Sequence, residues 1–204
     1  MTQEPAPYSA ETWAQERQFI QEIDKVKHIL RRTVLCDESR RENDAEHSWH
    51  ISVMAMMLAK YSAAPVDANK VVRMTLIHDL VEIDAGDTFA YDTKAAKDKE
   101  ARERQAAARI FGLLPPPEAE EFRQLWEEFE AMETPDALFA AAMDRLQPLI
   151  LNDCSQGAAW REGGVARSQV LARMDVIRRI APGLWPAVEE IVARNVALGN
   201  LREG

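Results

Sequence analysis

The segment from His78 to Asp87 carries a dense set of residues that could bind a metal ion. His78 and Asp79 are adjacent and have apolar neighbours on both sides, so burying both without partners would cost free energy. A divalent metal ion is a suitable partner, because neutral imidazole and carboxylate are both common ligands. A His-Asp dipeptide alone is weak evidence, but its apolar setting favours a metal site.

Further carboxylates follow this pair in the sequence. Glu82 lies four residues after His78 and three after Asp79, which places all three on one face of a helix. Asp87 follows Gly86, where the chain can turn tightly. An exposed acidic helix end is the alternative interpretation, but the helix dipole disfavours acids at a C-terminus. We therefore predict a functional role for these carboxylates.

Two more ligand-type residues lie in other parts of the chain. His47 stands at the start of an apolar segment, and Asp144 interrupts the apolar run from Ala140 to Leu146. Taken alone, His47 has an ordinary structural interpretation and Asp144 could pair with a nearby arginine. His50, three residues after His47, could be a further ligand or a partner of a ligand.

The elements that must position these residues are predicted to be helices, since apolar residues recur at helical spacing along the chain. No stretch alternates apolar and polar residues in the way that predicts a strand. The methionines within 54–57 are predicted to fill the core. The predicted helices span 10–32, 45–61, 67–83, 93–111, 115–129, 134–151, 165–180 and 184–198. The fold class is therefore all-α.

The composition restricts the class of protein. The length of 204 residues suits a single domain over 1–204, with a metal-binding core at about 31–152 and additional helices at about 165–200. A net charge of −9 argues against nucleic acid as a partner, because phosphate binding needs clustered Lys and Arg. No apolar run approaches the ~18 residues of a membrane span. Residues 1–14 lack the pattern of a secretory signal.

The two cysteines are far apart in the sequence and belong to no CxxC motif. We predict that Cys36 and Cys154 are reduced thiols in a cytoplasmic protein.

Taken in order, His47, the pair His78-Asp79, and Asp144 resemble the metal signature of the HD-domain phosphohydrolase superfamily. The similarity extends further, to the bacterial 5′-deoxynucleotidase (YfbR-like) group, and covers about 31–152. The segments that carry it are Arg32, Glu42-Asn43, Glu46-His47-Ser48, His78 to Ile83, Gly86-Asp87, and Asp144-Arg145-Leu146.

This resemblance implies a fold and a cofactor. The fold would be a single HD-domain helical bundle with additional C-terminal helices. One divalent transition metal ion, which could be Mn, Co, Fe, Ni or Zn, would be bound by His47, His78, Asp79 and Asp144. The group has no known ligand at the position of His50, so a role beside a ligand or at the surface is favoured there.

The resemblance also implies roles around the metal. Glu82 and Asp87 match acidic positions near the reaction centre, and Asp87 suits contact with a sugar hydroxyl better than with phosphate. Arg32 matches an arginine that holds the substrate. The residue after that arginine is usually Trp in the group, whereas this chain has Thr33, which predicts relaxed selectivity between deoxyribose and ribose.

The implied activity is that of a metal-dependent phosphomonoesterase, a 5′-nucleotidase that releases phosphate from (deoxy)nucleoside 5′-monophosphates. Two alternatives stay open: an HD hydrolase of a dNTP or guanosine tetraphosphate, and a non-catalytic metal-binding helical scaffold. Relatives tend to be homodimers, and the apolar residues of segment 184–198 could pack within the chain or against a second copy.

Overall fold

The computed structural model describes residues 7–92 and 98–204, and most of these residues are helical. The α-helices are α1 (Ala10–Ile23), α2 (Asp44–Leu58), α3 (Ala68–Ile77), α4 (Glu82–Ala85), α5 (Lys99–Phe111), α6 (Pro116–Ala131), α7 (Pro135–Cys154), α8 (Ala158–Gly163), α9 (Arg167–Ile180) and α10 (Trp185–Ala197). Turns of 3₁₀ helix lie at Asp24–His28, Ala59–Tyr61, His78–Val81 and Pro182–Leu184. The predicted all-α class is confirmed. Of the predicted helix at 93–111, the part at 93–97 lies outside the described residues.

A small antiparallel hairpin replaces the end of the predicted first helix. Strands β1 (Leu30–Val34) and β2 (Arg41–Asn43) pair with Leu30 opposite Asn43 and Val34 opposite Arg41. The predictions of a helix to residue 32 and of no strand were therefore wrong. The strands are too short to show alternation, and their hydrogen bonds come from pairing between segments, which local periodicity does not report.

Helices α2, α3 and α7 begin at side chains that cap them. Asn43 caps α2, where its side chain accepts from the Glu46 backbone and the Glu46 side chain accepts from the Asn43 backbone. Asp67 caps α3 and Thr134 caps α7, as their positions in the sequence predict. These caps determine where His47 and Asp144 lie along their helices.

The predicted helix over 67–83 is interrupted at its chemically important end. Helix α3 ends at Ile77, His78–Val81 form a 3₁₀ turn, and the short α4 begins at Glu82. Gly86 then ends α4 with φ +73° and ψ 149°, a conformation that side chains strongly disfavour. His78 and Asp79 therefore lie in a 3₁₀ turn and Glu82 lies at the start of α4. All three side chains are buried.

Helix α7 lies at the centre of the core and packs against α2, α3, α6, α9 and α10. Its first half is rich in alanine, and Ala137, Ala140 and Ala142 are fully buried, which lets neighbouring helices approach closely. Helix α10 buries Val188 and Val192 within the same chain. Between α7 and α9, the short helix α8 lies between Gly157 and Gly164, which both adopt positive φ.

The prediction that the methionines of α2 fill the core holds only for Met54. Met56 and Met57 are 67% and 60% exposed, because the helical period places them opposite the face that packs on α3 and α7. Within the described residues, no helix has the length and apolar character needed to cross a bilayer. The assignment of 1–204 to one domain stays a prediction.

Candidate active site

The four predicted metal ligands lie together although they come from three separate elements. His47 Nε2 is 3.1 Å from Asp144 Oδ1 and 3.9 Å from Asp79 Oδ2. His78 Nε2 is 3.0 Å from Asp79 Oδ1 and 3.8 Å from Asp144 Oδ1. Helix α2, the 3₁₀ turn and helix α7 thus bring two imidazole nitrogens and two carboxylates to one centre.

Each histidine ring is oriented through its other nitrogen. His47 Nδ1 lies 3.0 Å from the amide oxygen of Gln147, and His78 Nδ1 lies 3.0 Å from the backbone carbonyl of Thr75. Both oxygens can only accept, so both Nδ1 atoms donate. The Nε2 atoms therefore face the centre, where each presents a lone pair to a metal ion when its ring is neutral.

A divalent metal ion fits this set of donors. Among the described residues, the buried His78 Nε2 has no hydrogen-bond partner, although an Asp79 oxygen lies 3.0 Å away. A buried polar atom without a partner is costly, and a cation at the centre would satisfy it. The pair of carboxylates around it would balance the charge of that cation. The assignment of the four residues as ligands stays a prediction.

The electrostatics of the centre favour ionised carboxylates and a neutral His47. Burial by itself raises the pKa values of Asp79 and Asp144, but the adjacent His78 with Arg31 lowers the first, and the hydrogen bond with His47 together with the nearby His78 ring lowers the second. Burial lowers the pKa of His47 to about 4. Burial lowers the pKa of His78, but the carboxylates of Asp79 and Asp144 outweigh that effect and raise it to about 10, so the centre favours a positive charge beside these carboxylates, which a metal ion would supply.

Arg31, which sequence analysis did not select, reaches the same centre. Its Nη1 donates to Asp79 Oδ2 at 2.7 Å and to Asp44 Oδ1 at 3.2 Å. The Arg31 side chain is 12% exposed and that of Arg32 is 41% exposed, because adjacent residues of a strand point to opposite faces. Only recognition of the hairpin could have revealed which arginine points inward.

Glu82 lies beside Asp79 in a group of three carboxylates. Carboxylate oxygens of Asp44, Asp79 and Glu82 lie within 4.8 Å of one another. Burial, followed by the charges of Asp79 and Asp44, raises the pKa of Glu82 well above its usual range. The protonated form of Glu82 is therefore favoured. Asp44, also missed in the sequence, is fully buried and its pKa is raised to about 7.

The centre opens into a cavity that includes the other predicted site residues. Arg32, Thr33 and Asp87 all line it, and burial raises the pKa of Asp87. The Arg32 guanidinium stands 4.9 Å from the centre of the Phe89 ring. The cavity is also lined by basic, aromatic and acidic side chains, among them Lys99, Arg145, Arg173, Tyr91, Phe129, Trp160, Glu103 and Glu130.

His50 lies outside the ligand group. Its Nδ1 is 3.2 Å from Gln147 Nε2, and Gln147 Nε2 also donates to Glu42 Oε1 at 2.5 Å. Gln147 in turn accepts from His47. His50 therefore contacts the residue that orients His47, and its role beside a ligand or at the surface stays a prediction.

Comparison with known proteins identifies a family and several relatives. The family described as HD domain matches residues 23–185. The 5′-deoxynucleotidase HDDC2 of Danio rerio is 26% identical over 183 residues, covering 89% of this chain and 90% of that protein. The human protein of the same name is 28% identical over 134 residues, covering 65% of this chain and 64% of its own length.

Solved structures extend the comparison to the fold. A protein from Magnetospirillum magnetotacticum, described as a predicted metal-dependent phosphohydrolase, is 51% identical with a TM-score of 0.88, covering 94% of this chain and 98% of that one. An HD-domain phosphohydrolase from Listeria innocua shares the fold at 18% identity, with a TM-score of 0.65 over 89% of this chain and 90% of its own. The chain therefore belongs to the HD-domain family of metal-dependent phosphohydrolases.

Proposed function

We propose that the chain removes phosphate from deoxynucleoside 5′-monophosphates. The observation that carries this proposal is the convergence of two oriented histidines and two carboxylates at the end of a cavity. The named relatives support the substrate class, because they are described as 5′-deoxynucleotidases. One divalent transition metal ion would be held by His47, His78, Asp79 and Asp144.

The donor set suits Mn, Co, Fe, Ni or Zn, since imidazole nitrogen and carboxylate oxygen are both present. When bound, such an ion lowers the pKa of water in its open positions and offsets charge that develops on the phosphoryl group. The chain itself contributes the orientation of the ligands. Gln147 and the Thr75 carbonyl hold the two imidazole rings so that their Nε2 atoms face the centre.

Glu82 is proposed to donate a proton to the sugar oxygen that leaves the phosphate. A general acid must carry a proton at the working pH and must lie near the reacting group. Two observations support this role: burial raises the pKa of Glu82 well above its usual range, which favours the protonated form, and its oxygen lies within 4.8 Å of one of Asp79.

Arg32 and Asp87 are proposed to bind the substrate at the cavity wall. The guanidinium of Arg32 offers a forked donor to phosphate, and the carboxylate of Asp87 accepts from a sugar hydroxyl. Thr33 is small and buried beside Arg32, so the wall lacks the bulk that a Trp would provide against a 2′-hydroxyl. Modest discrimination between deoxyribose and ribose follows.

A panel of nucleotides tests the activity. Purified protein supplied with each candidate metal in turn should release inorganic phosphate from deoxynucleoside 5′-monophosphates, and chelation should abolish the release. Paired ribo- and deoxyribonucleotides should differ by no more than about a hundredfold, the value of one or two small steric contacts. Release of triphosphate from dNTPs would favour the first alternative activity, and no release from any nucleotide would favour a scaffold.

We also infer a homodimer located in the cytoplasm. The α2 residues Trp49, Val53, Met56 and Met57 are exposed and recur at helical spacing, so they form one apolar stripe. Exposed apolar stripes of this kind mark interaction surfaces. Sedimentation should give twice the mass of the chain, and Met56→Glu should reduce it to that of a monomer. A monomeric wild type would contradict the proposal.

A further inference from the structure

The fold brings the two cysteines of the chain into contact. Cys36 lies in the turn between β1 and β2, and Cys154 is the last residue of α7. Both thiols are free and exposed, and the Cys154 thiol is near enough to that of Cys36 to raise its pKa. The sequence separation that suggested two independent thiols is therefore no guide to their positions.

The backbone around each thiol is held in place. In the hairpin turn, Leu35 N donates to Arg40 O at 3.0 Å and Glu38 N donates to Leu35 O at 2.9 Å. Across the gap, Gln156 Nε2 donates to Glu38 Oε1 at 3.1 Å. This polar contact joins the two segments close to the thiols. Little loss of conformational freedom is therefore needed to bring the two sulfur atoms together.

We propose that Cys36 and Cys154 are an oxidation site that forms a reversible intramolecular disulfide with hydrogen peroxide. In the first step the Cys154 sulfur attacks one peroxide oxygen, the O–O bond breaks, and sulfenic acid and water result. In the second step the Cys36 sulfur attacks the sulfenic sulfur, which releases a second water as the S–S bond forms. Two thiols and one peroxide thus give one disulfide and two waters. The proposal does not depend on the nucleotidase activity.

The order of the steps follows from the surroundings of Cys36. Burial and the neighbouring Cys154 thiol raise the pKa of Cys36 to about 11, which leaves little thiolate at neutral pH. Cys36 thus suits the second step, in which its partner is already in contact, better than a collision with dilute peroxide.

The disulfide would connect the two walls of the cavity. Arg32 and Thr33 lie in the strand that leads to Cys36, and Asn152 lies two residues before Cys154. All three line the cavity. A bond between the hairpin turn and the end of α7 would therefore restrict the movement of these segments relative to each other.

Peroxide oxidation followed by intact-mass measurement tests the site, because the chain contains only two cysteines. The wild type should lose two hydrogen atoms in mass, stay a single chain on a non-reducing gel, and resist alkylation until dithiothreitol is added. Peptide mapping should find the Cys36 and Cys154 peptides joined. Hydrogen exchange of the hairpin amides should slow in the oxidised protein.

Cys36→Ser and Cys154→Ser are the matched controls, since each changes one exposed atom. Neither variant should lose the two hydrogens, and Cys36→Ser should instead gain oxygen on Cys154. A wild type that gains oxygen on both thiols, or that forms only chain-to-chain disulfides, would overturn the proposal. An oxidised wild type with unchanged exchange in the hairpin would overturn the link to the cavity.

Discussion

At the residue scale, the two histidine rings of the site are oriented by hydrogen-bond acceptors that lie outside its centre. The Nδ1 atoms of both histidines donate to protein oxygens, so the opposite nitrogens face Asp79 and Asp144. A ring fixed in this way loses less freedom on binding a metal ion than one that can rotate. Three predictions concern individual side chains.

Glu82→Gln should leave metal content and thermal stability near normal while turnover falls sharply. Glutamine keeps the size and hydrogen bonding of the buried side chain but cannot transfer a proton. Loss of a proton-transfer group costs about 10²–10⁴ in rate. Elemental analysis and phosphate release measure the two quantities. A variant that retains full turnover would remove Glu82 from the reaction, and one without metal would make it a ligand.

Arg32→Ala should weaken substrate binding and leave metal content unchanged. A hydrogen bond to a charged group contributes about 1.5–3 kcal/mol, so kcat/KM should fall roughly ten- to a hundredfold. Arg41→Ala is the matched control, because both arginines lie 3.4 Å from Glu162 Oε1 but Arg41 does not line the cavity. Equal losses in the two variants would show that the effect arises at Glu162 and not at the phosphate.

Gln147→Leu should lower metal affinity by removing the support of His47. The change removes the oxygen that accepts from His47 Nδ1, and loss of such a partner typically costs about 10–100-fold in affinity. His50→Ala is the control, since His50 contacts Gln147 but lies outside the ligand group. Titration with metal in the presence of a competing chelator gives both values. Unchanged metal affinity in Gln147→Leu would mean that the hydrogen bond between His47 Nδ1 and Gln147 does not contribute to metal binding.

At the scale of elements, short irregular segments position the chemistry between longer helices. The 3₁₀ turn His78–Val81 carries two predicted ligands, and the hairpin of β1 and β2 carries Arg31 and Arg32 on opposite faces. Glu82 opens α4, and Gly86 ends that helix so that Asp87 returns to the cavity. The prediction at this scale concerns the turn at Gly86 that places Asp87 in the cavity.

Gly86→Ala should destabilise the fold and displace Asp87. Gly86 has φ +73° and ψ 149°, and a side chain there costs of order 1–3 kcal/mol although nothing blocks its Cβ. Gly183→Ala is the control, because Gly183 has ordinary φ and an open environment apart from one contact with Tyr61 at 3.4 Å. Urea unfolding should separate the two variants. Equal free energies of unfolding would mean that the turn can relax.

At the scale of the whole molecule, the centre joins three parts of the chain that are distant in sequence. His47 on α2, the 3₁₀ turn after α3, and Asp144 on α7 all contribute to it. Without a cation, several ionised or ionisable carboxylates face one another in the interior, and Arg31 offsets only part of that charge. Metal binding should therefore stabilise the entire fold.

Removal of the metal should lower the melting temperature of the wild type. A ligand at a hundred times its Kd adds about 2.7 kcal/mol to the free energy of unfolding, which amounts to several degrees for a chain of this size. Calorimetry before and after dialysis against a chelator measures the change. The Asp144→Ala variant should show no such change, and an equal change in that variant would place the stabilising ion elsewhere.

Features of the protein that depend on residues close together in the sequence could be predicted from the sequence alone. Helical periodicity predicted the helices, and Asp67 and Thr134 marked where two of them begin, because caps and apolar spacing act within a few residues. The order of His47, the pair His78-Asp79, and Asp144 pointed to the HD-domain family that comparison confirms. Their roles as ligands stay a prediction.

Features that depend on contacts between residues distant in sequence could be known only from the tertiary structure. The hairpin needs pairing between segments, and that pairing points Arg31 inward and Arg32 to the cavity wall. Asp44 joins the carboxylate group because α2 packs beside the 3₁₀ turn. The contact of Cys36 with Cys154 likewise follows from the packing of the hairpin against α7. Long-range packing sets these distances, and local periodicity carries no information about them.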